Sequence, residues 1–149
     1  MKFSDFFRQL DIFFFALLAG QIFFAFVSVI NVVILKNAFA ANGLSEIFAF
    51  LIPVYAFSVV LAGSFIFKKR LAGIDRKETN ARFEIYRSAF IIRLALIESS
   101  SFISFVAYLM SGDWIYLAFG LLIVVLFLFL RPIKEKVQSD MDLSSEEKE

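Results

Sequence analysis

The sequence predicts an all-α integral membrane protein, a bundle of four transmembrane helices with both termini on the cytoplasmic side. Three observations carry this expectation. Apolar residues make up 60% of the 149-residue chain and its mean hydropathy is +0.81, well above the ~45–50% apolar share of a soluble domain. Residues 12–35, 47–67 and 114–130 are free of charge over 24, 21 and 17 positions, and residues 88–110 are interrupted only by Arg93 and Glu98. A hydrocarbon layer of ~30 Å takes ~20 helical residues. No ten-residue alternation suggests a barrel, so helices are left to satisfy the backbone within lipid.

The first span, residues 12–35, is too long for the ~7–15-residue core of a signal peptide and is read as retained, with processing near Ala19 as the alternative. The second, 47–67, carries Pro53, which removes one backbone donor and predicts a kink. Thirteen of the fifteen lysines and arginines lie in the N-terminus, in residues 68–87 and in the C-terminal tail, whereas residues 36–46 hold only Lys36 and residues 111–113 hold none. The positive-inside bias therefore puts the termini and the central loop in the cytoplasm. Trp114 and Tyr116 follow the tight Ser111, Gly112, Asp113 turn as interface anchors. In the central loop, Asp75 and Glu78 have capping-box spacing and Glu78 pairs with Arg82 at i,i+4, which predicts one helix from about residue 75 to 110, projecting into the cytoplasm. Contact of the same basic stretch with anionic headgroups is a compatible reading. The fourth span is apolar all round and is expected to face lipid. Residues 137–149, acidic and poor in apolar groups, predict a disordered tail.

Glu98 falls almost at the centre of residues 88–110, where a charge costs ~3 kcal/mol or more, so such a carboxyl normally faces protein or water and marks pairing or function. Arg93 can snorkel toward the cytoplasm, because helical side chains lean toward the helix N-terminus. At about 100° per residue it lies about 140° around the helix from Glu98, so the two are poorly placed to pair. Ser101, Ser104 and Tyr108 flank Glu98 on one side as a polar stripe. Across the bundle the first span offers Gln21, Ser28 and Asn31, and the second Tyr55 and Ser58. Interhelical hydrogen bonds among such groups are worth ~0.6–2 kcal/mol each. The candidate polar site is therefore Glu98, Ser101, Ser104, Tyr108, Gln21, Ser28, Asn31 and Arg93. Small residues at Ala16 and Gly20, and at Ser58 and Ala62, have the spacing of close helix contacts.

With no cysteine and no histidine, thiolate, imidazole and Cys/His metal chemistry are excluded. A hydrolase built on Ser99, Ser100 or Ser101 has no histidine or membrane lysine as base. The net charge of +1 argues against nucleic acid as a partner. No enzymatic activity, cofactor or metal is expected. The 22 phenylalanines read as packing and lipid contact, and the expected partners are the bilayer and other membrane subunits or further copies of the chain. Two functions follow: a non-catalytic accessory or assembly subunit in which Glu98 is bonded between helices, or a transport element in which Glu98 titrates a proton or ion.

Two resemblances bear on this choice. The segment ALIESSSFISFVAYLM, after a basic loop, resembles the outer helix of the rotor proteolipid of proton-translocating ATP synthases, where a midplane carboxylate follows a small-apolar run. Over residues 50–110 Glu98 holds the matching position, which implies proton binding there. The glycine-repeat inner helix and the Arg-Gln-Pro loop of that family are absent. The whole chain, on RSAFIIRLALIESSSFISFVAYLM and LRPIKEKVQSDMDLSSEE, also resembles a small four-helix membrane family of Bacteroidota, which implies the inner membrane of a bacterium.

Overall fold

The computed structural model describes residues 2–34 and 44–141, apart from the side chains of Leu44, Ser45 and Asp75. Helix α1 spans Phe3–Val29 and widens into a π-helical turn at Ile30–Ile34; α2 is Leu44–Leu71, α3 Thr79–Ser111, α4 Trp114–Leu128 and α5 Lys134–Asp140. No strand occurs among the described residues. Three helices, α1 with its π turn, α2 and α3, are long and apolar enough to cross a membrane, and the protein is a membrane protein. Helix α4, with 15 residues, reaches about 22 Å at 1.5 Å per residue. Residues 35–43, which hold most of the expected outer loop, and residues 142–149 of the expected tail lie outside the described residues.

The helix ends follow local chemistry. Helix α3 ends at Gly112, whose positive φ of 71° suits a residue without a Cβ. Its amide donates to the Tyr108 carbonyl at 2.8 Å, and Asp113 caps α4 by accepting from the Ile115 amide at 3.1 Å. The expected turn at residues 111–113 is therefore built from all three of its residues. The start of α3 differs from the expectation: a 3₁₀ turn occupies Ile74–Arg76 and the α-helix begins only at Thr79, with Glu78 at the cap and no side-chain cap bond. Gly73, at φ 77°, reverses the chain between α2 and this turn. Arg82 donates to the Lys77 carbonyl at 2.8 Å and to the Met141 carbonyl at 3.5 Å, so it ties the loop to the far end of the chain.

Helix α3 is the centre of the bundle. It packs against α1, α2 and α4; α1 also touches α4, while α1 and α2 scarcely meet, and neither do α2 and α4. Two grooves therefore open along α3, one between α1 and α2 and one between α2 and α4. An aromatic cluster joins the N-terminal ends of α1 and α3, where the Phe6 and Phe83 rings lie 4.7 Å apart and Phe6 meets Tyr86 edge-on. Helix α4 corrects one expectation. Tyr116, Leu117, Gly120, Ile123, Val124 and Phe127 are buried, so one face of this uniformly apolar helix meets α3 and α1 and only the other is left outward. At Gly120 the Phe105 ring lies against the bare backbone so closely that a Cβ would collide with it.

The C-terminal segment is a second correction. Residues 137–140 belong to α5, and Val137 and Met141 are 1% and 0% exposed. They anchor a short charged helix onto the end of the bundle where α3 begins, and there Asp140 accepts a hydrogen bond from the Tyr86 hydroxyl at 3.4 Å. A hollow bordered by Phe67, Tyr86 and Phe90 lies between the bundle and this segment, with Val137 and Asp140 on its α5 side.

Candidate functional site

The polar residues expected to meet at Glu98 are divided by the structure into three groups. The first joins α1 to α3. Gln21 and Ser101, both 0% exposed, face each other, and the Ser101 hydroxyl lies 2.9 Å from the Gln21 Oε1 and 2.8 Å from the Glu98 carbonyl oxygen. A hydroxyl has one proton, so these two acceptors share it. The Gln21 Nε2 is buried with no hydrogen-bond partner. Glu98 belongs here by position: its Oε1 lies over Gly20 of α1, at 3.8 Å from where a Cβ on that glycine would stand. Its carboxyl forms no hydrogen bond or ion pair among the described residues, so the expected interhelical bond at this carboxyl is made instead by its neighbour Ser101.

A second group turns its polarity inward on its own helix. Ser104 donates to the Ser100 carbonyl at 2.9 Å, Ser28 to the Phe24 carbonyl at 2.8 Å, and Asn31 to the Val27 carbonyl at 2.9 Å. Each returns its hydrogen bond to a carbonyl four residues earlier and none reaches Glu98. The Tyr108 ring packs 5.5 Å from Trp114, with its hydroxyl buried and unpartnered. From α2 it is Tyr55 that contributes: its hydroxyl lies 3.0 Å from the Ser99 Oγ. Ser99 gives its own proton to the Leu96 carbonyl at 2.6 Å, so Tyr55 is the donor.

Arg93 forms the third group, on the opposite side of α3. Its side chain lies along α2 with the stem 3.5 Å from where a Cβ on Gly63 would stand, and its guanidinium carbon is 5.1 Å from the centre of the Phe67 ring. The lean is toward the N-terminal end of α3, as helical geometry requires. Of the small-residue pairs, Ala16, Ser58 and Ala62 are exposed; Gly20 meets α3 through the Glu98 side chain, Gly63 meets Arg93 at ordinary contact distance, and an approach too close for a Cβ occurs at Gly120. Glycines inside an apolar run were the one available signal for those contacts.

On a helical wheel at about 100° per residue, the arc of α3 from Glu98 round to Ser99 also carries Ala95, Phe102 and Val106. All of them are exposed or half-exposed. Ser101 faces α1 and Ser99 faces α2, so this arc is the floor of the groove between those helices. Glu98 stands at its α1 edge, half-buried.

The Gln21 and Ser101 pair makes a direct prediction. Ser101→Ala leaves both ends of the Gln21 amide without a partner and is expected to cost about 1 kcal/mol or slightly more, measured by titration with a denaturing detergent. Adding Gln21→Leu, which removes the stranded amide, should recover most of that loss, since deleting both partners is nearly neutral.

Compared with protein-family models, curated proteins and solved structures, the chain matches none.

Proposed function

We propose that the chain is a non-catalytic four-span subunit of a bacterial cytoplasmic membrane, with both termini inside, that assembles with other membrane helices through the groove between α1 and α2. The carrying observation is the Glu98 carboxyl, which lies in an apolar stretch of α3, unpaired and half-buried on the open floor of that groove. A carboxyl facing acyl chains alone is costly, and a helix seated in the groove with one donor aimed at Glu98 removes that cost. The occupant is a second copy of the chain or a different membrane subunit. Helix α4, carried on by Phe129 and Leu130, is the fourth and shortest span, with α5 and the basic ends of α2 and α3 at the cytoplasmic rim.

A second reading has its own support. The buried Gln21 Nε2 without a partner, beside a free carboxyl and the Ser101 hydroxyl, is a set of groups that can hold and release a proton, and it fits the likeness to the rotor proteolipid. Glu98→Gln distinguishes the two readings, because it keeps shape and hydrogen bonding but cannot titrate. Assembly size in mild detergent is expected to be unchanged for Glu98→Gln and lost for Glu98→Leu. If Glu98→Leu assembles as the natural chain does, the assembly reading fails. A pH-driven flux into liposomes that vanishes in Glu98→Gln would move the assignment to proton transport.

A further inference from the structure

Beside the second groove, the C-terminal end of α2, α3 and α5 together form an open-sided cavity of about 520 Å³. Ser64, Phe67 and Lys68 of α2, Arg93 of α3, and Lys136 and Asp140 of α5 line it. Three cations from three helices thus face a space that holds one carboxylate. That carboxylate already accepts from the Tyr86 hydroxyl at 3.4 Å. The Arg93 Nε is buried without a hydrogen-bond partner, although its stem is held by α2 and its guanidinium is stacked on Phe67. A guanidinium fixed in this way, with donors unspent, is preorganised for a tetrahedral oxyanion. Basic pockets between membrane helices take the head groups of anionic lipids.

We propose that this cavity is a binding site for a phosphate group, with Arg93 as the oriented donor and Lys68 and Lys136 as the flanking charges. The phosphate is carried by an anionic phospholipid or is free in solution, and the chemistry of recognition is the same. Asp140 sets the upper limit on affinity, because its charge opposes the anion. The site lies across α3 from the Glu98 groove and does not depend on the function proposed for that groove.

The test uses the full chain in mild detergent. Retention of phosphatidylglycerol against phosphatidylcholine is read by native mass spectrometry, and binding of inorganic phosphate by equilibrium dialysis. The natural chain is expected to retain the anionic lipid selectively, and Arg93→Gln to weaken this roughly tenfold, the equivalent of one charge-assisted hydrogen bond. The exposed pair Lys68→Gln with Lys136→Gln should weaken it in the same direction without touching the core, which covers the case in which Arg93→Gln misfolds. Asp140→Asn should strengthen it. Inorganic phosphate bound with the same sensitivity to these variants, and lipid not retained, assigns the site to free phosphate. The proposal is overturned if neither probe binds, or if binding is unchanged in the double lysine variant.

Discussion

Gly120→Leu is expected to disrupt the packing of α4 on α3, at a cost of about 3 kcal/mol or more, at the upper end of overpacking penalties. The Phe105 ring crowds the place where a Cβ would stand, and that ring is 0% exposed, with the Phe24 ring 6.3 Å away, so it yields only by displacing its neighbours. The measurement is a denaturing-detergent titration followed by the fluorescence of Trp114, the single tryptophan, which begins α4 beside Tyr108. Phe105→Ala in the Gly120→Leu background should return part of the loss, with a coupling of roughly 0.5–3 kcal/mol between the two sites. Strict additivity of the two substitutions would show that ring and glycine do not meet.

Phe6→Ala is expected to cost about 3 kcal/mol, the lower end of the range for a buried phenylalanine. The void left among Phe3, Phe83 and Tyr86 carries much of that cost. Tyr86 also holds Asp140, so loosening the cluster should release α5. Protease cleavage near Lys134 or Lys136 would then appear in Phe6→Ala while the natural chain resists it. Unchanged cleavage would mean that α5 is held by Val137 and Met141 alone.

The helices were legible because exclusion of a bare backbone from lipid leaves few alternatives, and the uncharged runs overlap α1, α2 and α4, although α1 begins at Phe3, more than two turns before its run. The division of faces was much less legible. Helix α4 has apolar residues on every side, so hydropathy cannot separate the side that packs on Phe105 from the side that does not. What marked the packed side was Gly120, a single missing side chain. Gln21 and Ser101 were legible as members of one polar site around Glu98, but the bond that joins them to each other was not. Ser28, Asn31 and Ser104 look equivalent in sequence, but each is satisfied within its own helix. The docking of α5 rests on Val137 and Met141 in a stretch otherwise read as charged, and its receptor is assembled from α2 and α3, distant in sequence. The register that brings Gly63 to Arg93 is likewise a property of two helices together.

The scant contact between α1 and α2 bears on how the protein is made. As the chain leaves the ribosome, the first two segments enter the membrane with almost nothing to hold them to each other, and they stay independent until α3 arrives between them. A released chain truncated before residue 79 should therefore leave two solitary helices open to quality-control proteases, whereas one that includes α3 acquires its architecture in a single late step. Mistakes in the third segment would then be punished during biogenesis well before any mature role is tested.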